Sequence, residues 1–202
     1  MSVDMKGRII SSCLSLFLKY GIKSITVDDI SHHIGISKKT FYEYFVNKND
    51  IIELIAKDFI SKNQTENREI IEGNIDVIEK ILKIYKQILS QFCTINPSFI
   101  FDIKKYHSDI YDLFVEHRDK ELGHMITKLL NQGKKEGVFR DDINEQIIFR
   151  LHISRINSII DGTLLPEKHI SDPDFFKIMI TNLIGISTIK GHELINEKIN
   201  EF

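Results

Sequence analysis

Residues 26–48 read TVDDISHHIGISKKTFYEYFVNK, and this stretch limits the possible folds more than any other. It predicts two short helices joined by a tight turn, then the start of a third. Thr26 is a good N-cap, and Asp28 and Asp29 fall in the first turn, where the helix dipole favours negative charge. Val27, Ile30 and Ile34 recur at helical spacing and give one buried stripe. Gly35 ends that helix, because glycine takes the left-handed C-cap conformation without penalty. Ile36 fills the turn and Ser37 caps the next helix, 38–45, which is too short to be stable alone. That helix must pack through Phe41 and Phe45, four residues apart on one face. Its other face carries Lys38, Lys39, Thr40, Tyr42 and Tyr44. A helix fixed by an apolar face, showing lysines, a hydroxyl and phenols to solvent, meets the needs of major-groove insertion.

The rest of the chain points to an all-α fold of about nine helices. Apolar residues recur every three or four positions, and strict alternation is scarce. A first helix spans 5–20, with Ile9, Cys13, Leu16, Phe17 and Tyr20 as its apolar face and Gly21 as its stop. Asn47 caps a fourth helix that ends near Asn63, and the polar run 64–74 reads as a connection. A fifth helix covers 75–94, and Asn96-Pro97 opens a sixth. Ser108 caps a seventh helix reaching Lys135. Asp142 with Glu145 forms a capping-box pattern for an eighth, 145–161. Asp172-Pro173-Asp174 opens a ninth, 174–190, after which the tail frays. The expected domains are 1–62, a helix-turn-helix head with its reader at 26–45 and the fourth helix as connector, and 63–202, a ligand-binding and dimerisation body.

Charge supports this division. The net charge is −2, yet residues up to Lys48 carry seven basic and four acidic side chains, so the remainder holds −5. A basic head on an acidic body suits a nucleic-acid contact confined to the N-terminal part. No apolar run approaches the ~20 residues that span a bilayer, and no signal-peptide pattern opens the chain. A cytoplasmic protein without membrane contact is expected. Cys13 and Cys93 lie in separate predicted helices and read as buried reduced thiols.

The eighth and ninth predicted helices are apolar on more than one side. Ile147, Ile148, Leu151, Ile153, Ile156, Ile159 and Ile160 cover much of the eighth. Phe175, Phe176, Ile178, Met179, Ile180, Leu183, Ile184, Ile186 and Ile189 do the same in the ninth. Helices apolar most of the way round must be buried most of the way round. A second copy supplies that burial through a two-fold four-helix interface, with Gly185 and Ser187 allowing close approach.

The order Tyr20-Gly21, Ser24, 26–30 (TVDDI), 35–45 (GISKKTFYEYF) and Asn47-Lys48 resembles the TetR family of bacterial repressors. The likeness spans roughly residues 5–62; beyond it the chain is similar only in architecture. The resemblance implies that Thr26 contacts phosphate. It implies that Ser37, Lys38, Lys39, Thr40, Tyr42 and Tyr44 face DNA, and that Lys48 contacts the backbone. Lys39 departs from the small residue often found at its position, which adds charge to the recognition surface. The resemblance also implies an inducer pocket without naming the inducer.

Other constellations carry less. His117, Glu121 and His124 share one helical face at a spacing that could hold a metal; the same spacing is common on any polar face, and no metal or cofactor is expected. There is no P-loop, no Gly-x-Ser-x-Gly and no His-Glu-x-x-His, so nothing places a nucleophile beside a base and no enzyme is expected. Phe92, Phe99, Phe101, Tyr106, His107, Tyr111 and Phe114 cluster in sequence and are candidates to line a pocket for an apolar or aromatic effector. The expected function is a ligand-responsive repressor, homodimeric on a palindromic double-stranded DNA operator. The alternative is a helical protein-interaction module without DNA binding.

Overall fold

Ten α-helices form in the computed structural model, which describes residues 4–94, 96–160 and 173–199. They are α1 (Met5–Tyr20), α2 (Val27–Ile34), α3 (Lys38–Tyr44), α4 (Lys48–Glu72) and α5 (Val77–Thr94). They continue as α6 (Pro97–Tyr106), α7 (Ser108–Lys135), α8 (Glu145–Ile160), α9 (Pro173–Gly185) and α10 (Ile189–Ile199). The fold is all-α; the β-type pairing among the described residues is a single antiparallel bridge, Phe139 with Ser187. The predicted cap at Asp172 and the end of the eighth helix at Asp161 lie outside the described residues, as do the side chains of Phe92, Cys93, Ile159, Ile160 and Phe175.

The chain divides into two compact units, one of residues 1–63 and 94–116, the other of 64–93 and 117–202. The first unit buries Ile9, Cys13, Leu16 and Phe17 of α1 with Ile30 of α2, Phe41 and Phe45 around α3, and Ile51, Ile52, Ile55 and Ala56 of α4. Ile103 of α6 and Ile110 of α7 complete that core. Tyr20, expected on the apolar face of α1, instead lies half exposed at its end. Burial pushes the Cys13 thiol up to about 12, against a smaller opposing pull from Lys48, so it stays protonated and inert.

The second unit is built around Val77, Ile78, Leu82 and Tyr85 of α5, Met125, Leu129 and Leu130 of α7, Ile153 and Ile156 of α8, and Met179, Ile180 and Leu183 of α9. Ile195 of α10 is fully buried in the same core.

Four expectations need correction. The polar run 64–72 continues α4 rather than forming a loop. It is rich in helix formers, and i,i+4 pairs such as Lys57–Glu53 at 2.6 Å and Lys62–Asp58 at 2.7 Å support the preceding polar turns. Ile70 and Ile71 then anchor the end of the helix on the second core, and Lys80 donates to the Ile71 carbonyl at 2.7 Å.

The ninth predicted helix is two helices. The chain breaks at 186–188, where the Arg140 amide donates to the Ile186 carbonyl and the Thr188 amide to the Val138 carbonyl, both at 3.0 Å. Thr188 then caps α10, accepting from the Gly191 amide at 3.2 Å, so residues expected to fray are helical. The N-cap of α8 is Asn144, whose side chain accepts from the Ile147 amide at 3.0 Å; Asp142 is taken up by Arg140. Ser108 lies inside α7, and the first turn closes on the His107 carbonyl at 3.0 Å.

Candidate nucleic-acid interface

The α2–turn–α3 segment holds its shape through its caps. The Thr26 hydroxyl accepts from the Asp29 amide at 3.2 Å, and the Asp29 carboxylate takes the Thr26 amide at 2.8 Å. That reciprocal box satisfies backbone donors at the start of α2. Hydrogen bonds from the Thr26 side chain and backbone hold the Asp29 carboxyl below its ordinary pKa. Gly35 sits at φ 76°, and the Ile36 amide reaches back to the Ser31 carbonyl at 3.0 Å, closing the turn. Ser37 accepts from the Thr40 amide at 3.0 Å and caps α3.

These caps fix which face of α3 is buried. Phe41 is wholly buried and Phe45 nearly so, with ring centroids 5.9 Å apart. The opposite face is open: Tyr42 is 53 % and Tyr44 44 % exposed, and Ser37, Lys38, Lys39 and Glu43 are exposed beside them. Thr40 is half-buried, its hydroxyl 2.9 Å from that of Ser37. Lys38 pairs with Asp28 at 2.6 Å, with both side chains more than half exposed. Such a pair is weak and yields readily to a phosphate. Lys39 has no ion pair among the described residues, so it is the uncommitted cation of α3. His32 and His33 lie exposed on α2.

Lys48, expected at the DNA backbone, is half-buried, and its ammonium donates to the carbonyls of Ile22 at 2.6 Å and Ile25 at 2.8 Å. Desolvation lowers its pKa despite the opposing pull of Asp102. An ammonium has three donors, so one N–H remains for a phosphate. Asn47 caps α4, accepting from the Asn49 amide at 2.7 Å, while Asp50 accepts from the Val46 amide at 3.1 Å. The site therefore brings together three capped helix N-termini and an aromatic, cationic face.

Among the described residues, the candidate effector residues divide between buried and exposed positions of the first unit. Phe99, Tyr111 and Phe114 pack on the core of the first unit, and Phe114 meets Phe59 edge-to-face at 5.9 Å. Phe101 and Tyr106 are exposed, at 55 % and 42 %. His107 is half-buried, with its pKa lowered by desolvation first and by Lys48 second. The side chain of Phe92 lies outside the described residues. Two concavities lie in the second unit. One of about 630 Å³ runs between the end of α4 and α5, from Glu66 and Ile70 to Lys83 and Gln87. One of about 320 Å³ lies against α8, between Asp119, Phe149 and Asn157. Neither includes a residue of the candidate set. Among the described residues no three His, Cys, Asp or Glu side chains converge as metal ligands; Glu121 and His124 are exposed on α7 and His117 is half-buried.

Sequence reading missed one part of this region. Asp102 of α6 accepts the Lys23 amide at 2.7 Å, and Tyr106 accepts the Lys23 ammonium at 2.8 Å. The partners are 79 and 83 positions apart, with no local pattern to join them.

Residues 9–55 match the family model for bacterial regulatory proteins of the tetR family. Over these residues the chain is similar to the TetR family. A relative, the uncharacterized HTH-type transcriptional regulator YvaF of Bacillus subtilis, is 28 % identical over 169 residues, covering 82 % of this chain and 85 % of the relative. The HTH-type transcriptional repressor KstR2 of Mycobacterium tuberculosis is 21 % identical over 148 residues, covering 72 % and 74 %. Among solved structures, a TetR transcription regulator from Haloarcula marismortui superposes with a TM-score of 0.73 at 14 % identity, over 92 % of this chain and 99 % of that one. At that identity the likeness is one of fold.

Proposed function

We propose that this chain is a transcriptional repressor that acts as a homodimer on a palindromic operator and responds to a small-molecule effector. The observation that carries the reading is the open face of α3. Lys39, Tyr42 and Tyr44 project opposite the buried Phe41 and Phe45, next to the capped N-termini of α2 and α4. Helix N-termini offer amides and positive dipole to phosphates, while the side chains of α3 reach base edges. Two copies with α3 in successive major grooves require half-sites ~34 Å apart. The relatives named as repressors support the sign of regulation.

The second copy is drawn to α8, where Ile147 and Leu151 are each more than half exposed, four residues apart. An effector acts only through its differential affinity for the DNA-competent state and the alternative. The α4–α5 groove offers room for one. α4 is unbroken from Lys48 to Glu72 and contributes residues to both compact units, so it is the covalent route for that coupling.

The test is a gel-shift measurement on a duplex selected from a random pool, with Tyr42→Ala and Lys39→Ala beside the parent. Both variants are expected to stay folded and to lose operator affinity. Unchanged affinity in both would remove α3 as the reader.

A further inference from the structure

Outside the helix-turn-helix, the first unit carries a cationic and aromatic surface that its core does not use. Lys23 lies over the ring of Tyr106, with its ammonium 4.3 Å from the centroid and 2.8 Å from the phenol oxygen. Lys105 flanks the same ring at 5.5 Å and lies 5.1 Å from the ring of Phe101. Phe101 and Tyr106 are both exposed, and so are Lys23 and Lys105. Lys23 and Lys105 together hold the Tyr106 phenol below its ordinary pKa, with the Lys23 hydrogen bond the largest cause.

The carboxylate of α6 does not cancel this charge at the surface. Asp102 is only 7 % exposed and turns inward, where it accepts the Lys23 amide at 2.7 Å. Gly21 makes room for it: a Cβ there would sit 3.1 Å from both the Asp102 carboxylate and the Ser98 side chain. Asp102 therefore fixes the backbone of the α1–α2 turn and leaves two ammonium groups facing out.

That turn is shared with the DNA-facing elements. The Ile22 and Ile25 carbonyls on either side of Lys23 hold Lys48 at the start of α4, and Thr26 opens α2 immediately afterwards. The cationic surface is thus continuous with two helix N-termini that face phosphate in the proposed complex.

We infer that Lys23, Lys105 and Tyr106 form an auxiliary contact to the DNA backbone, gripping phosphates that flank the operator half-site. The inference rests on the DNA-binding reading above. Its chemistry is sequence-independent: two lysines neutralise phosphates and the phenol donates to a phosphate oxygen. It adds affinity and register without reading bases. A duplex is favoured over another polyanion because the surface abuts the capped start of α2.

The chain of residues 1–202 would be titrated with two duplexes, one carrying the selected site with both flanks and one trimmed to the site. Each titration is repeated at several salt concentrations for the parent, the Lys23→Gln/Lys105→Gln double variant and the Lys23→Arg/Lys105→Arg double variant. On the flanked duplex the Gln variant is expected to flatten the log–log salt slope by about 3.6, from two lysines in each of two protomers at roughly 0.9 per phosphate contact. It should behave as the parent on the trimmed duplex, and the Arg variant should behave as the parent on both. An unchanged slope on the flanked duplex, with parent binding intact, overturns the inference and leaves the α3 reading standing. A parent that binds neither duplex overturns both. Binding to phosphatidylserine vesicles that the Gln variant loses, while its DNA slope is unchanged, assigns the surface to a membrane instead and likewise overturns it. Lys105→Gln alone, at an exposed position, repeats the test should the double variant misfold.

Discussion

Lys48 donates its ammonium to the carbonyl oxygen of Ile22 at 2.6 Å, and a second N–H to Ile25 at 2.8 Å. The side chain that the sequence assigns to phosphate therefore already closes the α1–α2 turn. Lys48→Met leaves both carbonyls without this partner and is expected to cost on the order of 2 kcal/mol of stability. Denaturant unfolding of the free protein checks it. A residue serving DNA alone would leave the unfolding midpoint where it was.

Gly35 isolates backbone strain from crowding. Its φ is 76°, yet a Cβ there meets nothing within 4 Å. Gly35→Ala is expected to cost about 1–2 kcal/mol through the left-handed conformation alone. Gly35→Asn should cost less, since asparagine tolerates that region. Thermal unfolding of the pair gives the order; equal losses would mean that the turn, not φ, has changed.

These two residues also mark what the sequence could reveal. Gly35 was legible because its role is local: one glycine, a cap on each side and an apolar stripe before it. The buried pair Phe41 and Phe45 was legible for the same reason, as was the exposure of Tyr42 and Tyr44 that follows from it. The second occupation of Lys48 was not, because backbone carbonyls 23 and 26 positions away leave no mark in side-chain chemistry. Asp102 was hidden likewise, since its partner is the backbone amide of Lys23. The split within the aromatic run 99–114 was not legible, because exposed and buried rings look alike in a sequence. Phe99 and Phe114 pack on the core while Phe101 and Tyr106 face out.

His152 makes the second unit sensitive to acid. Its ring stacks on Tyr85 with centroids 5.0 Å apart, and its Nε2 is buried without a hydrogen-bond partner among the described residues. Burial, with a smaller push from Arg155, lowers its pKa from 6.5 to about 4. The unfolded chain therefore takes up this proton first as pH falls. Stability is full above about pH 6.5 and is lost progressively down to about pH 4, by on the order of 3 kcal/mol. His152→Phe should flatten the pH dependence of the unfolding free energy across that window. An unchanged slope in the variant would assign the acid sensitivity to other groups.

Gly191 decides whether α10 docks. A Cβ there would lie 2.0 Å from the Val138 carbonyl oxygen, a backbone atom that also accepts the Thr188 amide at 3.0 Å. The neighbour cannot swing away as a side chain could. Gly191→Ala is expected to cost about 3 kcal/mol or to detach α10. Hydrogen exchange on 189–199 separates these outcomes: detachment exposes the helix amides while α5 stays protected. A neutral result would mean that the 137–140 turn can shift, which the bridge between Phe139 and Ser187 argues against.

The exposed stripe of α8 bears on the proposed dimer. Ile147 is 57 % and Leu151 54 % exposed, and Ser154 and Ser158 continue the same face at helical spacing. Two branched residues followed by two small ones let a second helix approach closely and bury the apolar pair. The double variant Ile147→Glu/Leu151→Glu would set like charges against each other across a two-fold axis while leaving Ile153 and Ile156 in their core. It is expected to sediment as a monomer with the melting behaviour of an intact fold. Its operator affinity should fall on the order of a hundredfold, because two linked heads bind a palindrome with an effective concentration that one head lacks. A half-site duplex should show almost no loss, since one head meets it in either case. Equal losses on palindrome and half-site would mean that the glutamates disturb the head itself, and a persistent dimer would move the two-fold interface off α8.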